Sequence, residues 1–204
     1  MELMRHAAVI VNGTWPWYVV RAAGFVAAGL LILQMLWGIG QVTGLTYKLV
    51  EPIKAWAIHK AIAYALCGAI AVHVGLLLVD GFLPFSLTQA FIPFVSHYSN
   101  HTTLFGIGLS SVAIALGVLA MYGIAIIVAS SLGWIETKSS KWRKLHYLSY
   151  FVMLAVFIHA LGAGSDLKYG VFREVWILAI VVVALGVVMR LWRAGTLRKE
   201  DSEK

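Results

Sequence analysis

The sequence predicts an all-α integral membrane protein, a bundle of five transmembrane helices. Three observations lead there. The 204 residues are 61% hydrophobic and 12% charged, where a soluble domain sits at roughly 45–50% apolar and about 25% charged. The apolar residues gather into five runs, each long enough to cross about 30 Å of hydrocarbon. The charges lie between the runs and leave a net charge of +7. Bases that flank apolar runs set orientation in a membrane, so a nucleic-acid partner is excluded. There is no internal repeat, no second domain and no glycine-rich phosphate loop following a strand pattern.

The elements follow in order. Residues 1–16 form an N-terminal segment without an A-x-A cleavage pattern, so no removable signal peptide is expected. The first span runs over 17–40, with Trp15, Trp17 and Tyr18 as an interfacial aromatic anchor. Gly44 and Pro52 place a loop before the second span, 55–79. Residues 80–103 contain no Lys or Arg, and their LPFSLTQAFIPFV portion is too short and proline-interrupted to cross. It suits the membrane interface. The third span, 104–129, is uncharged and rich in small residues that allow close helix approach. A basic loop precedes the fourth span, 144–163. The fifth is 175–192, and 193–204 form a charged, frayed tail. Together, residues 17–192 make the membrane domain.

Five spans put the termini on opposite sides. Twelve of the sixteen Lys and Arg fall in the first and third loops, the adjoining helix ends and the C-terminal region. The positive-inside rule therefore places the C-terminus in the cytoplasm and the N-terminus outside. The single cysteine, Cys67, lies in an apolar run. It allows no internal disulfide and no Cys-x-x-Cys-His attachment, and reads as a small buried apolar residue.

The chemistry-bearing residues are histidines. The second span carries His59 and His73, fourteen apart, and the fourth carries His146 and His159, thirteen apart. Both spans start on the cytoplasmic side, so His59 and His146 share an inner level and His73 and His159 an outer one, ~20 Å apart. A lone intramembrane His often only bonds a neighbour. Two pairs matched in depth point to function, because imidazole is expensive in hydrocarbon. Four imidazoles are enough to supply the axial ligands of two stacked, non-covalent b-type haems, and that is the expected cofactor content. Fourteen residues return to within roughly 40° of the starting direction, but thirteen leave His146 and His159 roughly 140° apart on an ideal helix. A bulge, a tightened turn or a different approach must correct the fourth span.

Anionic haem propionates seek cationic or donor partners. Lys60, Arg143 and Lys144 are candidates at the inner level, and Arg21 and Arg173 at the outer. Each is equally readable as a snorkelling interfacial base. Gly68, Gly75 and Gly162 either make room for a flat macrocycle or let helices pack. His97 and His101 in the outer loop could bind a metal or face an acceptor, and their plain reading is solvated loop residues. His6 carries no assignment.

The segments WAIHKAIAY…AVHV, FIPFVSHY and WRKLHYLSYFVMLAVFIHALGAGSD resemble the ferric reductase-like transmembrane family, which also includes the membrane part of NADPH oxidases. The resemblance covers about residues 55–166, and the fourteen-then-thirteen spacing looks like that family's. It implies bis-histidine b-type haems that pass electrons outward, with His59 and His146 on the inner haem and His73 and His159 on the outer. Many members continue into a cytoplasmic flavin and nicotinamide domain and have six spans. This chain shows five and ends twelve residues after the last. It therefore looks like the stand-alone bacterial members, in the inner (cell) membrane, with a separate cytoplasmic flavoprotein or quinol as donor.

Three functions follow. The first is a transmembrane electron conduit, the membrane component of an oxidoreductase, in which no side chain need be catalytic. Its outer acceptor would be ferric iron, a flavin domain, oxygen or a redox partner. The second is a quinone-linked cytochrome b subunit of a respiratory complex, for which Gln34 and Glu136 are the loose pocket candidates. The third is a non-redox transporter or scaffold. The absence of Asp or Glu within spans two to five counts against a transporter.

Overall fold

The computed structural model describes residues 14–81, 85–98, 103–104, 107–108, 110–134 and 140–202. Seven α-helices account for nearly all of them: α1 Trp15–Thr43, α2 Pro52–Leu77, α3 Leu87–Phe91, α4 Ser110–Trp134, α5 Ser140–His146, α6 Leu148–Ala163 and α7 Val171–Ser202. Five helical stretches are long and apolar enough to cross a membrane: Trp15–Thr43, Pro52–Leu77, Ser111–Gly133, Ser140–Ala163 and Val171–Arg193. His6, His101 and Glu136 lie outside the described residues.

Local chemistry sets the helix ends. A proline opens both α1 and α2, where its missing N–H leaves no bond unmade. Gly44 closes α1 in the left-handed conformation, φ 78°, its N–H returning to Gln41 O, a geometry that a β-carbon disfavours. The short α3 carries a capping box, Ser86 with Gln89. It lies within the stretch expected at the interface, and its surroundings expose Leu87, Ile92 and Phe94.

Besides shifts of a few residues at other helix ends, three departures from the sequence expectation stand out. The third span was expected from residue 104, but its helix begins at Ser110, because Thr103–Leu104 and Ile107–Gly108 pair as a two-residue antiparallel ladder. Gly106 and Gly108 in this stretch disfavour helix. The final helix starts earlier, at Val171, and runs through the charged tail to Ser202. The fourth span is interrupted at Tyr147, directly after His146. There the Tyr147 N–H is shared between Arg143 O (3.2 Å) and Lys144 O (3.3 Å), and Tyr150 N donates to Tyr147 O three residues back (3.1 Å). The sequence demanded a correction between His146 and His159, and this tightened turn is where the helix changes its winding.

The helices pack in two pairs, α1 against α2 and α4 against α6, with α7 closing on α1. Along α1 the buried residues Val20, Ala23, Ala28, Leu31, Met35 and Ile39 form one stripe. The central core joins Leu31, Met35, Leu66, Ala120, Ile124, Val152, Met153, Ala155 and Val183. Trp37 Nε1 donates to Ala55 O at 2.9 Å, tying α1 to the start of α2. Trp176 stacks on Phe157 at 5.9 Å, tying α7 to α6. Between the two pairs contact is sparse, and along α2 only Ala55 and Leu66 are buried.

The α4–α6 pair depends on Gly123. A β-carbon there would stand 2.5 Å from Cγ2 of Val152, a side chain only 1% exposed and stiff at χ1. Gly123→Ala is expected to destabilise the protein by about 1–3 kcal/mol, read as a lower melting temperature in detergent. Adding Val152→Ala should recover part of the loss, since the two sites share one space. Equal melting of wild type and Gly123→Ala would disprove this close packing.

Candidate functional site

The four histidines meet in two pairs across the gap between α2 and the α5–α6 span. His59 and His146 have ring centroids 6.4 Å apart with planes at 46°. His73 and His159 are 6.5 Å apart at 86°. A metal–imidazole bond is about 2 Å and the nitrogen lies roughly 1.1 Å from its ring centroid, so two imidazoles facing each other through one ion have centroids about 6 Å apart. Both levels show that separation. Among the described residues no group of three or more His, Cys, Asp or Glu converges. Each level therefore brings two imidazoles together, and among the described residues no third such group joins them.

The outer pair is tied to backbone. His73 Nδ1 donates to Val20 O at 2.9 Å, and His159 Nδ1 donates to Ala113 O at 2.8 Å. A carbonyl only accepts, so Nδ1 carries the proton and Nε2 keeps its lone pair, the form in which imidazole binds metal. An apolar cavity of about 230 Å³, open along one side, is lined by both rings of this pair. It is lined by α1, α2, α4 and α6 and by Phe85, Gln89 and Tyr98 of the outer loop. At its edge Arg21 Nε bonds Asp166 Oδ2 at 2.8 Å, and a second guanidinium nitrogen bonds Oδ1. Trp17 and Tyr18 lie under the same guanidinium.

The inner pair is held differently. The Gln34 side-chain amide meets His59 Nε2 at 3.1 Å. Gln34 Oε1, His59 Nδ1 and His146 Nδ1 are all buried without a hydrogen-bond partner, a concentration of unmet polar atoms that native interiors avoid unless a further group completes them. Trp142 packs on His146, centroids 5.2 Å apart, and its Nε1 donates to Ser131 Oγ at 3.3 Å.

The cationic candidates are scattered. Lys60 lies over the rings of Trp56 and Tyr64, at 5.3 and 5.7 Å. Arg143 and Lys144 are exposed on α5. Arg173 donates to Lys168 O at 2.9 Å and Leu167 O at 3.5 Å, bracing the turn before α7. His97 is exposed in the outer loop. A β-carbon added at Gly68 or Gly75 would meet nothing within 4 Å.

Sequence reasoning missed two features. Arg190 of α7 hydrogen-bonds the Tyr150 hydroxyl and lies over the rings of Tyr147, next to His146 in the chain, and Tyr150 at 5.2 and 5.5 Å. It is far from His146 in the chain, and nothing in its local sequence marks it. The other is the set of glycines that face histidines, Gly24, Gly38 and Gly117. A signal was present: Gly24 and Gly38 are separated by fourteen residues, as His59 and His73 are.

The architecture defines a multi-pass membrane protein whose polar interior is a two-level histidine centre. The family described as ferric reductase like transmembrane component matches residues 23–157, about two-thirds of the chain. The chain belongs to that family, and transmembrane electron transfer is its general activity. The match spans His59, His73 and His146 and ends two residues before His159. No curated protein and no solved structure matches the chain.

Proposed function

We propose that this protein is a di-haem b-type cytochrome of the bacterial cell membrane. It carries electrons from a cytoplasmic flavoprotein or quinol to an acceptor on the outer side: ferric iron, a flavin domain, oxygen or a redox partner. The observation that carries the reading is the pair of imidazole separations, 6.4 and 6.5 Å, at two levels of one bundle. Two opposed nitrogens do not complete a metal centre by themselves. They do complete one in which a planar macrocycle supplies the remaining ligands. His59 and His146 would hold the inner haem, and His73 and His159 the outer. Haem iron bound at these sites supplies reversible one-electron chemistry.

The remaining work falls to the chain. Val20 O and Ala113 O orient the outer ligands. The aliphatic cluster of Leu31, Leu66, Val152 and Met153 keeps the bundle interior dry, which holds the local dielectric low. Arg21, bound to Asp166, stands at the edge of the outer level, and Arg190 is held by Tyr150 and Tyr147, the latter adjoining His146 in the chain. The excess of bases in the first and third loops and the C-terminal region supports a cytoplasmic C-terminus.

A pyridine haemochrome assay on purified protein should give about two b-type haems per chain, and a colourless protein would overturn the reading. The second reading, a quinone-linked cytochrome b subunit, is favoured by one observation, the Gln34 amide against His59. Quinol reduction of the haem that a quinone-site inhibitor blocks would select it. Reduction only by a flavoprotein would leave the conduit.

A further inference from the structure

The outer histidines are reached through a repeated backbone device on α1 and α4. The carbonyls that accept from His73 and His159 belong to Val20 and Ala113. In an α-helix such a carbonyl also accepts the N–H four residues on, here that of Gly24 and of Gly117. A β-carbon on Gly24 would stand 3.2 Å from both Cε1 and Nδ1 of His73. On Gly117 it would stand 2.5 Å from Nδ1 of His159. A side chain at Gly117 would therefore have to displace the His159 imidazole from its carbonyl, and one at Gly24 would crowd the His73 ring by a few tenths of an ångström. The inner level repeats the glycine without the bond. Gly38 faces His59, its added β-carbon 3.2 Å from Cε1, and four residues before it stands Gln34. There the side-chain amide meets the ring at Nε2, and Nδ1 stays unpartnered.

Resting on the di-haem reading, we propose that Gly24 and Gly117 are positioning residues for the outer haem. By leaving the backbones of α1 and α4 bare, they let two carbonyls fix His73 and His159 with Nε2 as the ligating atom. The inner pair has no such brace. A carbonyl on Nδ1–H locks the ring's orientation and raises the basicity of Nε2, and partners of this kind are typically worth 10–100-fold in metal affinity. A more basic ligand favours the ferric state, so the brace also lowers the outer haem's midpoint potential.

The test uses the full chain in detergent. Gly24→Ala and Gly117→Ala are each placed in His59→Ala, which keeps only the outer haem, and in His73→Ala, which keeps only the inner one. Haem release to excess apomyoglobin and the midpoint potential are measured. In the outer-haem background each glycine variant should speed release about 10–100-fold and raise the potential, with Gly117→Ala the more severe. In the inner-haem background neither should change. Gly29→Ala, on the same helix with nothing within 4 Å of its added carbon, should change nothing in either background. Equal effects in both backgrounds would show general loosening of the fold and overturn the proposal, and so would no effect in the outer-haem background. Should Gly117→Ala fail to fold, the milder contact at Gly24 decides alone. Wild-type protein without haem would overturn the di-haem reading itself, whereas two haems with indifferent glycine variants would overturn only this inference.

Discussion

Alanine at His59 or His146 is expected to remove one haem, and alanine at His73 or His159 the other, each taking the haem content from about two per chain to about one. The members of a level should give the same residual spectrum and potential, because each loss leaves one imidazole facing a gap of more than 6 Å between centroids. No other described His, Cys, Asp or Glu joins either pair to replace the missing ligand. The measurement is a haemochrome ratio with a redox titration of each variant. If His59→Ala and His73→Ala leave the same haem behind, the pairing across α2 and α5–α6 is wrong.

The second large effect is electrostatic. Arg190 is half-buried, bonded to the Tyr150 hydroxyl and laid over the rings of Tyr150 and of Tyr147, the residue that follows His146. Among the described residues no carboxylate pairs with it, whereas Arg21 at the outer level is bound to Asp166. A unit charge about 10 Å away at an effective dielectric of about 20 is worth about 1.7 kcal/mol, which is about 70 mV for a one-electron couple. A cation disfavours the more positive, oxidised state, so its removal lowers the potential. Arg190→Gln should therefore lower the inner haem's midpoint by roughly 50–100 mV and leave the outer one in place. Arg143→Gln, on an exposed side chain, should move neither. The check is a spectroelectrochemical titration of the two variants beside wild type. An unchanged inner potential in Arg190→Gln would mean that another group neutralises this charge.

Much of the bundle was legible because hydrocarbon imposes simple rules. Each crossing segment must bond its own backbone, so length and apolarity mark the helices. Departures came where those rules are weak. At residues 103–108 two glycines lowered helix propensity without lowering apolarity, and a small ladder formed instead. After residue 193 charge suggested fraying, yet the last helix runs on to Ser202. The candidate site was legible through its spacing, since fourteen and thirteen residues put each pair of histidines at two matched depths. That same arithmetic exposed a misfit of rotation within the fourth span, and the break at Tyr147 lies at that point.

The sequence by itself determined which segments cross, which four imidazoles share two levels, and to which family the chain is similar. Spacing along a helix is a one-dimensional quantity, and depth in a membrane follows from it directly. Only the tertiary structure decided what braces those imidazoles. Val20 O, Ala113 O and Gln34 reach them across helix–helix contacts separated by 25 to 53 residues. Which backbone faces which ring depends on how rigid helices rotate and pack against one another, and no local pattern in the chain encodes that rotation.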